Sequence, residues 1–184
     1  MPPRILIDAN VLYRTRLREL LQALASAGLV APLWTVRILE ECASGLVRNG
    51  ALETAARDGF IASLSAPAHI VSGHEMLEGG FGLPDPDDEH VLAAAVHARA
   101  GLILSFNLKD FPLRILKKQG VRAEMPDSFF LALLGDQPDG FLRSVEKARL
   151  SIAPDLPRDE HFTMLRRAGI PRTVKRCLQI LNEG

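Results

Sequence analysis

Four acidic side chains stand where they could do chemistry together. Asp8 closes the apolar run Ile5-Leu6-Ile7, and Glu41 lies six residues after Thr35. Asp88 follows Pro86 ahead of an alanine-rich stretch, and Asp110 comes shortly after Leu102-Ile103-Leu104-Ser105-Phe106, with Asn107 between them. One carboxylate at a strand end is quite often only a helix cap or a solvent contact. Four from separate segments converging on one edge are harder to dismiss, because gathered like charges repel and raise one another's pKa unless a cation neutralises them. Oxygen-only ligands favour hard ions such as Mg²⁺ or Mn²⁺ over zinc, and no Cys or His pair here has zinc spacing.

For those acids to meet, strands must alternate with helices. Ile5 to Ile7 reads as a buried strand. Leu17, Leu20, Leu21, Leu24 and Ala25 fall on one helical face that Gly28 can stop. Residues 29–35 supply a second strand, 36–47 a helix, 51–64 another helix and 69–72 a third strand. A Gly-rich acidic loop over 73–87 follows. Pro86 and the carboxylates after it make a good helix start, since acids suit the positive end of a helix. That helix runs through Ala100, residues 102–106 form a strand, 112–119 a short helix and 121–125 a fifth strand. Such alternation predicts a parallel sheet of about five strands covered on both faces, with functional residues at the carboxyl ends of the strands. Beyond Pro126 the strands cease. Phe129 to Leu134, Phe141 to Ala148, Phe162 to Leu165 and Val174 to Leu181 carry helical spacing. We therefore divide the chain into an α/β unit over 1–125 and a helical extension over 126–184 packed on it.

The composition sets limits on function. With 184 residues, 47% hydrophobic and 24% charged, the chain is an ordinary globular one. No apolar run approaches the roughly 20 residues of a membrane span, and no signal-peptide pattern opens it, so a cytoplasmic location and no membrane partner are expected. Cys42 and Cys177 are far apart and lie on apolar stripes, which makes both core residues and fits a reducing compartment. Net charge is zero, so a polyanionic partner must be met by local basicity. Residues 75–89 hold six acids and no Lys or Arg, whereas 106–122 hold Lys109, Arg114, Lys117, Lys118 and Arg122 against Asp110 alone. A third basic group, Arg166, Arg167, Arg172, Lys175 and Arg176, lies near the C-terminus. Among these, Lys109 and Arg114 flank the acids and are the better candidates for contacts to a phosphate backbone. Arg14, close after the first strand, is another. His90 and His97 share a helix face, where a satisfied surface or core histidine outweighs a ligand. Tyr13 and Trp34 are too few for a base-stacking platform.

Four segments together resemble the PIN-domain ribonucleases, in the branch related to bacterial VapC toxins. They are Ile5-Leu6-Ile7-Asp8-Ala9-Asn10-Val11-Leu12, Thr35-Val36-Arg37-Ile38-Leu39-Glu40-Glu41, Asp85-Pro86-Asp87-Asp88-Glu89-His90-Val91-Leu92-Ala93-Ala94-Ala95 and Ser105-Phe106-Asn107-Leu108-Lys109-Asp110-Phe111. The resemblance spans roughly residues 4–125, with all motifs in the family's order. It implies a three-layer α/β/α fold and a Mg²⁺- or Mn²⁺-dependent endoribonuclease, a hydrolase with Asp8, Glu41, Asp88 and Asp110 at the catalytic and metal positions. Asn10 matches a polar residue supporting the first Asp. Ser105 and Asn107 match a Thr and a polar or acidic residue before the last Asp, and Asn107 in place of an acid removes one negative charge. Glu41 is preferred to Glu40, and Asp88 to Asp87, by spacing from Thr35 and to Ala95. The resemblance also implies an RNA substrate, transfer or ribosomal RNA, and an antitoxin partner that plugs the site; the extension could serve that contact, RNA choice or homodimer formation. The alternatives are an RNA-processing PIN nuclease without an antitoxin, and a catalytically idle PIN-fold module that binds RNA or protein. A haloacid-dehalogenase-type phosphatase would need a second Asp where Asn10 stands. A phosphorelay receiver would need paired acids before the first strand's end and a late Lys, and neither pattern is met.

Overall fold

The computed structural model describes residues 1–66 and 68–183; Gly184, the last residue of the expected extension, lies outside them. Strands β1 (Arg4–Ile7), β2 (Ala31–Leu33), β3 (Leu102–Leu104) and β4 (Arg122–Glu124) form a parallel sheet in the order β2-β1-β3-β4. Ile5, Leu6 and Ile7 are all fully buried, as expected of a central strand with helices on both faces rather than an alternating one. Register pairs Ile5 with Leu102 and Ile7 with Leu104, so β1 and β3 end side by side.

Helices α1 (Ala9–Leu12) and α2 (Thr15–Ser26) follow β1, and α3 (Val36–Arg48) follows β2. Thr35 starts α3 by accepting the Ile38 N–H on Oγ1 at 3.1 Å, leaving the helix to bury Ile38, Leu39, Cys42, Ala43 and Leu46 along one stripe. The short α1, directly after Asp8, is absent from the periodicity because a single turn carries too few apolar positions. The helix expected over 51–64 is shorter, a 3₁₀ turn at Thr54–Ala56 leading into α4 (Arg57–Leu64).

The third strand expected over 69–72 requires correction. Ile70 makes one isolated parallel bridge to Trp34, through Trp34 N–H to His69 O at 3.0 Å and Val71 N–H to Trp34 O at 2.9 Å. No ladder can grow from it, since the next residue, Thr35, already turns the backbone into α3. The sheet thus has four strands among the described residues, not about five. Helices α5 (Glu89–His97) and α6 (Leu113–Lys118) complete the alternating part.

Four helices follow β4: α7 (Pro126–Asp136), α8 (Pro138–Ile152), α9 (Arg158–Arg167) and α10 (Pro171–Glu183). Their apolar faces join the same buried cluster that holds the sheet, from Ile5 through Phe130 and Phe141 to Cys177. Gly140 lets α8 come close to the α2 side of the sheet, for a Cβ there would stand 3.2 Å from Leu29. The thiols of Cys42 and Cys177 are free and buried, and burial pushes them up to about 11 and about 12, as inert core residues rather than nucleophiles.

A carboxylate ties the first of these helices to the last. Asp127, buried in the first turn of α7, accepts the Arg172 and Thr173 N–H groups at 3.1 and 2.9 Å and the Thr173 hydroxyl at 2.8 Å. It caps α10 from a site 45 residues away in sequence, giving orphan N–H groups an anionic partner at the helix's positive end. Asp127→Ala should lower stability by about 2 kcal/mol, since it strands buried donors as well as removing a cap. Urea titration of the variant should show an earlier midpoint with an unchanged slope; an unchanged midpoint would discard this account of the clasp.

Candidate metal centre

β1 ends at Ile7 and α1 begins at Ala9, so Asp8 is the hinge between them and its carboxylate stands at the carboxyl edge of the sheet, only 6% exposed. Two donors converge on its Oδ2, Asn10 Nδ2 at 2.6 Å and the Ser105 hydroxyl at 2.6 Å. Ser105 follows β3 directly, which the register has placed beside β1. Its Oγ accepts from Asn10 Nδ2 at 3.1 Å and from the Asn107 N–H at 2.9 Å, while Asn10 Oδ1 accepts the Phe106 N–H at 3.0 Å. The supporting roles implied for Asn10 and Ser105 therefore correspond to direct contacts with Asp8.

Asp110 closes the 3₁₀ turn Leu108–Asp110 and is buried, and Asn107 Nδ2 donates to its Oδ2. Asn107 is thus not merely a missing charge: an Asp at this position could not donate that bond without holding a proton.

Asp88 ends a second 3₁₀ turn, Pro86–Asp88, which Asp85 caps by accepting the Asp87 N–H at 3.0 Å. Residues three apart eclipse on such a turn, which puts Asp85 and Asp88 on one face. Asp85, Asp88 and Asp110 each offer a carboxylate oxygen, and these three atoms lie within 4.8 Å of one another. Asp88 is pushed up to about 6, first by burial and then by the negative charges of Asp8, Asp110 and Asp85. Asp8 is raised as well, chiefly by burial; the Ser105 hydrogen bond works against the shift and the Glu41 charge adds to it. Crowded anions of this kind, with oxygen donors only, fit a hard divalent ion.

Glu41 stands apart from the close triad. Its Oε1 lies 3.2 Å from Arg37 Nε and 3.2 Å from Nε2 of the buried His90. Burial alone would raise Glu41, but His90 and then Arg37 outweigh it and hold the carboxyl below its usual value. Arg37 also reaches Glu78 Oε2 at 3.4 Å and the Asp87 carbonyl at 3.4 Å, fastening α3 to the acidic loop. Glu40 and Asp87, the two neighbours weighed in the sequence, are exposed, as is much of the Glu41 side chain itself. From the other side Glu89, buried, accepts the N–H groups of Phe81, Gly82 and Leu83 at 3.1, 2.7 and 3.0 Å and so anchors the loop that carries Asp85.

Two residues of the site lie outside the sequence expectation. Asp85 falls in the expected loop, although an Asp before Pro at a helix entrance is a cap signal that fixes its position. His90, expected as a satisfied surface or core histidine, is buried with Nε2 3.2 Å from Glu41. Arg37 gave no signal beyond its place one turn before Glu41. The basic candidates Lys109 and Arg114 are exposed, outside any ion pair among the described residues. Arg14 lies with its guanidinium carbon 4.2 Å over the Phe106 ring.

The family described as "PIN domain" matches residues 4–109, more than half the chain, ending one residue before Asp110. A protein of Mycobacterium tuberculosis (strain ATCC 25618 / H37Rv), described as "Putative ribonuclease VapC50", is 52% identical over 44 residues, which are 24% of this chain and 26% of that protein. The match thus spans about a quarter of that relative's length. No solved structure matches the chain.

Asp88 makes the acid crowding measurable. The folded chain binds its proton with a pKa of about 6 against an ordinary 3.8, so this group favours the fold below pH 3.8 and loses that advantage as pH rises through about 6. Without divalent ions, Asp88→Asn should therefore be more stable than the wild type at pH 7.5, by about 1 kcal/mol once screening of this half-exposed group is allowed for, and should show no gain at pH 3.5. Thermal melts at the two pH values in chelator check this. A variant less stable at pH 7.5 would mean that the acids do not strain the fold.

Proposed function

The chain belongs to the PIN-domain family, and from that premise we propose that it is a divalent-metal-dependent endoribonuclease, the toxin of a VapBC-type pair. The observation that carries this reading is the set of carboxylate oxygens of Asp85, Asp88 and Asp110 within 4.8 Å, with Asp8 near enough to raise Asp88. The naming of the mycobacterial relative as a ribonuclease supports RNA as the substrate.

In this reading Asp85, Asp88 and Asp110 would hold Mg²⁺ or Mn²⁺, joined by the neighbouring Asp8. Glu41 is a fifth acid that a second ion would recruit from its partners Arg37 and His90. Such an ion, when bound, would supply Lewis acidity, lowering the pKa of water and offsetting negative charge on the phosphate. The chain's own part is positioning. Asn10 and Ser105 fix the plane of the Asp8 carboxylate, Asn107 holds Asp110, and Glu89 keeps Asp85 within reach of the others. Lys109, Arg114 and Arg14 offer cations for the RNA backbone on either side of the acids. Such contacts place the strand without reading it. Transfer or ribosomal RNA is the target class, the protein acts in the cytoplasm, and an antitoxin controls it by covering the acid edge. Among the described residues no helix is long and apolar enough to cross a membrane.

Purified wild type and Asp8→Asn, each incubated with total RNA in Mn²⁺ or in chelator and followed by mapping of the new ends, test the proposal. Discrete ends should appear with wild type in Mn²⁺, and their yield should fall by about two orders of magnitude or more for Asp8→Asn and in chelator. Equal cutting by both proteins would sink it. Separately, Mn²⁺ at about 100 times its dissociation constant should stabilise the wild type by about 2.7 kcal/mol and Asp88→Asn far less, read from thermal melts.

A further inference from the structure

We propose that the groove between α1 and α3 is a subsite for one RNA nucleotide next to the cut, and that the α9–α10 turn helps build it by fixing Arg14. This rests on the nuclease reading and adds to it where the neighbouring nucleotide lies and what the helical extension contributes.

The groove, of about 520 Å³, is lined by Asn10 and Glu41 at the acid edge and by Tyr13, Arg14, Arg48 and Asn49. That volume falls in the range of about 300–1,000 Å³ that small-molecule pockets occupy. Its lining changes sign along its length. Glu41, its sole acid, is already met by Arg37 and His90, while Arg14 and Arg48 bring two guanidinium groups. A phosphodiester strand leaving a site of bound cations and carboxylates would enter a cationic groove, which favours a polyanion over a neutral or acidic peptide.

The groove also suits one base. Gly45 lets the Tyr13 ring lie against α3, since a Cβ there would stand 3.3 Å from two ring carbons. Asn49 Nδ2 donates to the Tyr13 hydroxyl, so the aromatic surface is held with a polar amide at its edge. One ring flanked by an amide and a guanidinium offers stacking and hydrogen bonds to a single base, not a platform for several.

Arg14 is set in place before any strand arrives. Its guanidinium lies on Phe106, and Nη1 donates to the Arg167 carbonyl at 3.5 Å. Phe106 is pressed from the opposite end of the chain by Gly169, whose φ of +101° and whose distance of 2.8 Å from an added Cβ to the ring leave no room for a side chain. The Phe106 N–H is bonded to Asn10, which holds Asp8. The contact thus links the catalytic edge to helices beyond residue 109, where the family match ends. A planar guanidinium already held loses little freedom when it takes up a phosphate.

The test measures anisotropy of a fluorescent, randomised eight-nucleotide RNA in Ca²⁺, with thermal melts confirming each variant's fold, and cleavage of the same pool in Mn²⁺. Arg14→Ala and Arg48→Ala should each raise the dissociation constant five- to twentyfold. Arg14→Ala should also flatten the slope of log K against log salt by about 0.7, the signature of one lost phosphate contact on a single strand. Gly169→Ala should weaken binding, and less so when Arg14 is already Ala. End mapping should show the base preference beside the cut relaxed in Arg48→Ala. Failure of wild type to bind the pool, or unchanged binding and salt slope in both arginine variants, would overturn the subsite. Binding that depends on Arg14 and Arg48 without cleavage in Mn²⁺ would support the subsite and reject the nuclease reading, while cleavage with unaltered KM in both variants would do the reverse.

Discussion

Mutual repulsion among carboxylates is the constraint around which this molecule is arranged. Asp8, Asp85, Asp88 and Asp110 come from three stretches of chain and would separate if each were free to choose its rotamer. They are kept together because three of them are fixed from behind, and Asp88 follows from its place on the same turn as Asp85. Asp8 is pinned by Asn10 and Ser105 and Asp110 by Asn107, while Asp85 caps its own turn within a loop that Glu89 grips through three N–H groups. The fold's hydrogen bonds are spent on holding charges in an arrangement that water alone would disperse, and a bound cation is what would make that arrangement favourable.

The sheet makes this possible. Parallel pairing puts the ends of β1 and β3 side by side, so residues 97 apart in sequence, Asp8 and Ser105, share a hydrogen bond. Arg37 and Glu89 then fasten the long acidic loop from two sides, one from α3 and one from α5. What looks in sequence like an irregular connection is tied at both ends to regular structure.

Much of this was legible in the sequence, for particular reasons. The Ile5-Leu6-Ile7-Asp8 run and the Leu102 to Phe106 run announce strands with polar residues at their carboxyl ends, from which Asp8 and Asp110 follow, and Pro86 announces the helix start that carries Asp88. Glu41 stands near them but bonded to His90 and Arg37, a pairing across helices that no spacing rule reveals. Asp85 escaped notice because its place depends on the eclipsed geometry of a 3₁₀ turn, for which apolar periodicity carries no signal. The third strand was misjudged because local composition reports β propensity but not whether a partner strand still has residues to pair with. The Thr35 cap had already ended that possibility.

The long separation between partners also bears on when the site comes into being. A growing chain carries Asp8 and Asn10 for about a hundred residues before Ser105, Asn107 and Asp110 are added, and Gly169 comes later still. Pairing of β1 with β3 must wait for a loop of almost a hundred residues to close. During synthesis the acids are therefore scattered along an unfinished polymer, and the crowding of like charge that marks the finished fold does not yet exist.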